Sequence, residues 1–164
     1  MDKSSSTLEL ATRLGEALKD RNWSLAVAES CTGGMLGAAI TDVPGSSGYF
    51  LGGVISYADQ VKLEQLGVTA ETLSRHGAVS AETASAMASG VRGLLHADLG
   101  ISITGVAGPG AEGSKPAGLT YIGIAENGQL SAHHYQWSGD RWENRKASVL
   151  AALQLAIQAA RTMS

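Results

Sequence analysis

Apolar residues recur along this chain at two alternating spacings. One spacing, of three or four residues, is typical of a helix with one buried face. It is clearest between residues 81 and 96, and Ser80 comes just before that segment as a helix cap. At the amino-terminal end, Ser6 and Glu9 have the spacing of a capping box. Helices are therefore predicted from about residue 6, over about 33–42, 60–66, 70–75 and 81–96, and after residues 138–141.

The other pattern is a short apolar run bounded by glycine or polar residues, which predicts a buried strand. Asn127 and Gly128 separate the last two runs, and this dipeptide is favoured in two-residue hairpins, so these strands are predicted to be antiparallel. Strands are predicted at 25–28, 53–57, 99–104, 119–125 and 129–137. The alternation of helices and strands favours a single α/β domain over residues 1–164, with three layers (α/β/α) and a mixed sheet. Ligands of such folds bind at strand carboxyl ends.

The first predicted strand runs directly into a polar turn, residues 29–34, which a helix follows. Ser30 and Cys31 are both candidate nucleophiles, and Gly33 and Gly34 permit backbone angles that other residues avoid. Unpaired N–H groups and the positive end of the helix dipole attract anions at such a place. The turn is therefore a candidate ligand site. The alternative is an ordinary glycine-tolerant turn with a hydroxyl N-cap.

A second strand ends in a similar way, because Thr104 leads into a glycine-rich loop at residues 105–113. Ser102 and Thr104 share one face of this strand, since side chains alternate along it. Thr104 and the N–H groups of residues 105–110 are candidates to stabilise a developing oxyanion. The alternative is that both hydroxyls are ordinary sheet residues.

Ser30 would need a base to act as a nucleophile, because a free hydroxyl is protonated at neutral pH. Lys62 follows the end of another predicted strand, where burial would lower the pKa of its amine. Tyr57 is placed to orient that amine or to relay a proton. The alternative is a solvated helix lysine and a packed tyrosine. The four histidines are not spaced as zinc ligands, so no metal is expected. A mechanism with Ser30 as nucleophile and Lys62 as base requires no organic cofactor, so none is expected either.

The formal net charge of −3, without a cluster of lysine or arginine among aromatic residues, argues against a nucleic-acid surface. A nucleotide-sized ligand remains compatible with this composition. Arg141 and Arg145, one turn apart on the last predicted helix, are candidates to bind phosphate, although solvated arginines at this spacing are common. Glycine makes up 21 of 164 residues, and its concentration at 33–34, 52–53, 105–110 and 123 indicates ligand loops.

The only cysteine is Cys31, which excludes an internal disulfide and suits a reducing compartment. Residues 1–20 carry charges throughout and lack the apolar core of a signal peptide, and no later segment is long and apolar enough to span a bilayer. A cytoplasmic protein without a membrane partner is therefore expected.

Five motifs in order along the chain resemble those of the CinA carboxy-terminal domain family. They are AESCTGG at 28–34, PGSS at 44–47, SY at 56–57 with Lys62, HGAVS at 76–80 and TGVAGP at 104–109. The resemblance covers roughly residues 8–160. It implies that a stand-alone member is similar to nicotinamide-nucleotide amidase, which hydrolyses the carboxamide of nicotinamide mononucleotide to nicotinate mononucleotide and ammonia.

The same resemblance implies roles for individual residues. Ser30 is the expected nucleophile, Lys62 its general base, and Tyr57 and Thr104 the supporting polar groups. The loops at 30–34, 45–47 and 105–109 are expected to surround the nucleotide. The expected substrate-binding residues are Thr32, Gly33, Gly34, Ser46, Ser47, Gly105, Gly108 and Arg141. The choice of phosphate donors among them is our own inference and not part of the resemblance: the helix start and the two serines are preferred over Arg141.

Two other functions fit the sequence. One is a noncatalytic nucleotide-binding module that uses the same glycine loops in regulation. The other is a thiol hydrolase with Cys31 as its nucleophile, although no cysteine–histidine pairing supports it. A homodimer is expected, because the alanine-rich helices at 81–96 and 147–160 are suited to close packing across a two-fold interface.

Overall fold

The computed structural model describes residues 6–162, which fold into six helices and five strands. The helices are α1 (Thr7–Arg21), α2 (Met35–Thr41), α3 (Asp59–Leu66), α4 (Ala70–His76), α5 (Ala81–Leu95) and α6 (Arg141–Arg161). The strands are β1 (Leu25–Glu29), β2 (Phe50–Ile55), β3 (Leu99–Gly105), β4 (Leu119–Glu126) and β5 (Gln129–Gln136). The sequence therefore predicts the order of the elements correctly.

The five strands form one mixed sheet in the order β2-β1-β3-β4-β5. β1 lies at the centre of a parallel group, between β2 and β3. β4 is antiparallel to β3, and the Asn127–Gly128 hairpin makes β5 antiparallel to β4. The carboxyl ends of β1, β2 and β3 consequently meet at one edge of the sheet, which we call the carboxyl edge.

Helices cover both faces of the sheet, which gives the predicted three-layer α/β/α fold. Leu25 and Val27 of β1 pack in the larger core together with α1, α2 and α6. Ala26 and Ala28 point to the other face and pack against α3 and α5. Because β1 is buried on both faces, its sequence is a continuous apolar run rather than an alternating one.

Two glycines allow α5 to lie close against the sheet. A Cβ at Gly100 would collide with the carbonyl oxygen of Ala88, and one at Gly123 would collide with that of Ala84. Ala84 and Ala88 are fully buried in this contact. The alanines of α5 that suggested a two-fold interface thus pack inside the chain's own fold, and the homodimer stays a prediction.

The second strand begins earlier than its sequence indicates. β2 spans Phe50–Ile55 instead of 53–57, so Tyr57 lies in the turn after the strand. The predicted ligand-loop role of the glycines at 52–53 and 123 is wrong, because they lie within β2 and β4. Gly53 lacks a side chain for a packing reason, since its Cβ would collide with the carbonyl oxygen of Val27 on the neighbouring strand.

Candidate active site

A cleft of about 520 Å³ opens at the carboxyl edge of the sheet. Ser30 at the end of β1 and Lys62 on α3 both line it, together with the loops that follow β3 and α4. The Nζ atom of Lys62 lies 3.1 Å from Oγ of Ser30, although the two residues are 32 positions apart. The structure thus brings the predicted nucleophile and the predicted base into hydrogen-bond contact.

Lys62 is held in place by the main chain that leads from β2 into α3. Its Nζ donates to the carbonyl oxygens of Ser56 at 2.7 Å and Tyr57 at 3.2 Å. Only 1% of the residue is exposed. Burial lowers the pKa of this amine from its usual 10.5, and the carboxylate of Asp59, 3.8 Å away, opposes that effect. The alternative of a solvated lysine is therefore wrong.

The buried carboxylate of Glu29 anchors the turn that carries Ser30. This carboxylate accepts hydrogen bonds from the hydroxyl of Thr32 at 2.7 Å, from Leu36 N at 2.9 Å and from Gly37 N at 3.0 Å. The positive end of the α2 dipole therefore already faces an internal anion. A phosphate at this helix start would be repelled by Glu29.

The predicted phosphate role of the helix start does not agree with this geometry. Thr32 is completely buried, and its hydroxyl is committed to Glu29. Gly33 and Gly34, with φ angles of 57° and 107°, provide the left-handed backbone that turns the chain into α2. All three residues shape the turn, and none of them lines the cleft.

Ser46 and Ser47 lie far from the cleft, at the opposite edge of the sheet. They belong to a 3-10 turn, Ser46–Gly48, that precedes β2, and the next residue, Tyr49, accepts a hydrogen bond from Leu25 N at the start of β1. A whole strand, about 17 Å or more in length, separates this turn from the carboxyl edge. The 45–47 loop does not line this cleft, and its contact with the nucleotide stays a prediction.

Glu29→Ala is expected to lower the free energy of unfolding by about 3 kcal/mol, because it leaves the buried N–H groups of Leu36 and Gly37 without an acceptor. Urea unfolding measures the change, and Glu16→Ala, which removes an exposed carboxylate from α1, serves as the matched control. Equal stability of the two variants would show that Glu29 does not anchor the turn.

Tyr57 does not contact the lysine amine with its phenol. Its carbonyl oxygen holds Lys62, whereas its side chain is 63% exposed and its hydroxyl lies 3.4 Å from Nη2 of Arg141. Arg141 also donates from Nη1 to the carbonyl oxygen of Gly108 at 2.7 Å. Tyr57, Arg141 and Gly108 all line the cleft. Arg141, which the sequence offers as a candidate to bind phosphate, therefore lies in the candidate site.

The hydroxyl of Thr104 donates to the carbonyl oxygen of Ala78 at 2.7 Å. Its proton is therefore committed, and Thr104 anchors the loop after α4 instead of pointing a free donor into the cleft. Gly105 lies beside it in the lining, and a Cβ there would come within 2.7 Å of Oγ1 of Thr120. The predicted oxyanion role of Thr104 does not fit this hydrogen bond.

Several residues of the site have only weak signals in the sequence. Asp59 and Glu112 bring carboxylates to the lining, and Lys115 joins the 110–115 loop to the loop after α4 by donating to the carbonyl oxygens of His76 and Val79. The position of Asp59 beside Lys62 could have been predicted from the sequence, because residues three positions apart share one face of a helix. The 110–115 loop has no such periodic signal.

Cys31 lies next to the nucleophile but is poorly suited to attack. Burial raises the pKa of its thiol to about 11, although the nearby guanidinium of Arg145 opposes this effect. Among residues 6–162, no histidine lines the cleft to deprotonate the thiol. A thiol with this pKa is protonated at neutral pH, which disfavours the thiol hydrolase alternative.

Residues 6–162 contain neither a cluster of metal-ligating side chains nor a helix that could cross a membrane. No three or more histidine, cysteine, aspartate or glutamate side chains in this range are grouped so that they would hold a metal ion. None of the helices in the same range has both the length and the apolar character needed to cross a membrane.

Comparison with known sequences identifies the family of this chain. A family model described as the CinA C-terminal domain matches residues 7–160. A CinA-like protein from Thermosynechococcus vestitus is 50% identical over 150 residues, which are 89% of this chain and 36% of the relative. The chain spans about a third of the length of the curated relatives it matches.

Solved structures have the same fold. A competence-damaged protein (CinA) superfamily protein from Klebsiella pneumoniae has a TM-score of 0.92 at 36% identity, covering 95% of this chain and 98% of its own. A protein of the same superfamily from Escherichia coli has a TM-score of 0.94 at 31% identity, covering 97% of this chain and 93% of its own. Matched along nearly all its length in both sequence and structure, the chain belongs to the CinA C-terminal domain family.

Proposed function

We propose that this protein is a nicotinamide-nucleotide amidase, which hydrolyses the carboxamide of nicotinamide mononucleotide to nicotinate mononucleotide and ammonia. The observation that carries the proposal is the buried amine of Lys62, 3.1 Å from the hydroxyl of Ser30. Family membership supports it through the motifs that surround these two residues. The names of the relatives state no such activity, so the reaction is argued from the site.

The surroundings of Lys62 suit a neutral amine that acts as a base. A neutral amine has two N–H bonds and one lone pair. The carbonyl oxygens of Ser56 and Tyr57 take up both N–H bonds, which leaves the lone pair for the third neighbour, the hydroxyl of Ser30. Because burial lowers the pKa of Lys62, the neutral form is populated at lower pH than in water.

The reaction follows from this arrangement in two stages. Oγ of Ser30 attacks the carboxamide carbon, its proton moves to Nζ of Lys62, and the carbonyl electron pair moves to oxygen. As the C–N bond breaks, the amine leaves with the proton from Lys62 as ammonia. Water then attacks the acyl ester with Lys62 again as base, and Ser30 regains its proton as nicotinate mononucleotide leaves.

The cleft fits a mononucleotide in size and charge. Its volume of about 520 Å³ lies within the range of small-molecule sites. The guanidinium of Arg141, which is bound to the carbonyl oxygen of Gly108, is a cation for the phosphate. Since Glu29 occupies the start of α2, we assign the phosphate to the side of the cleft formed by Arg141 and residues 105–110.

Ammonia release from nicotinamide mononucleotide, measured beside release from nicotinamide, tests the function. We expect turnover of the nucleotide only, because nicotinamide lacks the phosphate, and we expect no effect of a chelator. Calorimetric binding of the nucleotide without ammonia release would favour the noncatalytic module instead. Equal turnover of both compounds would contradict the phosphate site, and inactivation by the chelator would contradict the serine–lysine mechanism.

A further inference from the structure

The main chain after Ser30 has an unusual distribution of hydrogen bonds. The carbonyl groups of residues 30–32 all accept hydrogen bonds. The carbonyl oxygen of Ser30 accepts from Gly33 N at 3.1 Å, and that of Thr32 accepts from Met35 N at 3.0 Å. Arg145, in the second turn of α6, donates from Nε to the carbonyl oxygen of Cys31 at 3.0 Å and from Nη2 to that of Thr32 at 3.2 Å. Arg145 thus holds the turn through two of its carbonyl groups.

Two N–H groups of the same turn, those of Cys31 and Thr32, differ from that of Gly33, which donates to the carbonyl oxygen of Ser30. Within residues 6–162, neither Cys31 N nor Thr32 N donates to an acceptor on another residue, although the N–H of Cys31 interacts with the sulfur of its own thiol and thereby lowers the thiol pKa. A trans peptide directs its N–H opposite to its carbonyl group. The carbonyl group of Cys31 faces Arg145, so the N–H of Thr32 is directed away from the arginine. The N–H of Cys31 is likewise directed away from the carbonyl group of Ser30, which faces into the turn.

We propose that Arg145 is a positioning residue, which fixes this turn so that the N–H of Cys31 stabilises the oxyanion formed on attack by Ser30. Cys31 lines the cleft beside the nucleophile. In hydrolases whose nucleophile lies at a strand-to-helix turn, the N–H of the next residue is an oxyanion donor for this reason of geometry. The hydroxyl of Thr104 is committed to Ala78 and does not compete for the role.

The charge of Arg145 adds to this effect. Its guanidinium donates to the carbonyl oxygens of the Cys31–Thr32 and Thr32–Gly33 peptide groups, which directly follow the Ser30–Cys31 peptide group that carries the proposed donor. The same positive charge opposes the rise in the pKa of the Cys31 thiol, so its field reaches the start of the turn. A negative charge that develops beside Cys31 is therefore stabilised without any movement of the chain.

Arg145→Met tests the proposal, with Lys146→Met as its matched control. Both variants remove one positive charge from adjacent positions of α6, but Lys146 is exposed and has no hydrogen-bond partner among residues 6–162. For Arg145→Met, kcat for ammonia release is expected to fall about 10²-fold with little change in KM, as for the loss of one oxyanion donor. Arg145→Lys is expected to lose about 10-fold, because one ammonium cannot replace the two-pronged guanidinium.

The inference rests on the proposed acyl transfer at Ser30, so a second readout separates the two. Phenylmethylsulfonyl fluoride reacts with an activated serine: the Oγ–S bond forms, the S–F bond breaks and the proton passes to Lys62. Negative charge develops on the sulfonyl oxygen, so labelling of Ser30 by this reagent is expected to slow in Arg145→Met by a factor similar to that for kcat. Thermal unfolding of each variant confirms that it is folded.

The outcomes distinguish the proposals. Equal kcat and equal labelling rates in Arg145→Met and Lys146→Met would overturn the role of Arg145 and leave the amidase intact. A rise in KM at constant kcat would make Arg145 a substrate ligand instead of a positioning residue. Absence of ammonia release from the wild type would end the proposed function, while the labelling rates would still decide the role of Arg145. A wild type that is not labelled would contradict both.

Discussion

Ser30→Ala is expected to lower ammonia release from nicotinamide mononucleotide by about 10³-fold or more, because the variant has no group that can form the acyl ester. Binding of the nucleotide, measured by calorimetry, should remain close to that of the wild type. The side chain of Ser30 is small, and the turn around it is held by Glu29 and Arg145. The loss therefore falls on turnover and not on folding or affinity.

Two serine and cysteine variants are the controls for this experiment. Ser47→Ala removes an exposed hydroxyl at the opposite edge of the sheet and should leave the rate unchanged. Cys31→Ser changes the residue next to the nucleophile and should retain turnover, since its thiol is protonated at neutral pH. Full activity of Ser30→Ala, or complete inactivity of Cys31→Ser in a folded protein, would transfer the nucleophilic role away from Ser30.

Lys62→Arg is expected to reduce turnover by about 10²- to 10⁴-fold, the usual contribution of a general base. Arginine keeps the positive charge, but it cannot lose a proton in a protein and so cannot accept one from Ser30. Lys146→Arg, the same change on the exposed side of α6, should have no effect. A Lys62→Arg variant as active as the wild type would show that Lys62 acts only through its charge.

The pH dependence provides a second measure of the same residue. In the wild type, kcat/KM should rise with pH as Lys62 loses its proton, with an apparent pKa below 10.5, because burial favours the neutral amine. Asp59→Asn removes the nearest carboxylate, so it should move this rise to lower pH. Between the native and the unfolded pKa of Lys62 the unfolded chain binds more protons, so the free energy of unfolding should increase with pH across that interval.

The meeting of Ser30 and Lys62 was predictable from the sequence because it depends on topology. Both residues follow the carboxyl ends of strands, and parallel strands end at the same edge of a sheet. The position of Ser46 and Ser47 follows from the same rule. A helix that leaves the carboxyl end of β1 returns the chain to the opposite edge, so the loop that precedes β2 lies there. That step of the topology places these two serines at the end of the sheet away from the cleft.

Other contacts of the site could not be deduced from local patterns. Arg145 reaches Cys31 across 114 positions, and a pair of arginines one turn apart looks the same whether it is solvated or bound to a turn. The carboxylate of Glu29 ends an apolar strand, as a ligand-facing residue would, and only the fold shows that it bonds to α2. Such roles depend on how far two helices lie from the sheet, which hydrophobic spacing does not specify.

The internal anion at the start of α2 has a consequence for inhibitor chemistry. Glu29 already occupies the N–H groups at the start of α2, and the paired glycines do not line the cleft, so a carboxylate or sulfonate on a compound that reacts with Ser30 would find no open partner there. The same acidic group extended toward Arg141 would meet a cation. Selective compounds for this cleft should therefore carry their electrophile at one end and, at the other, an acid that reaches Arg141.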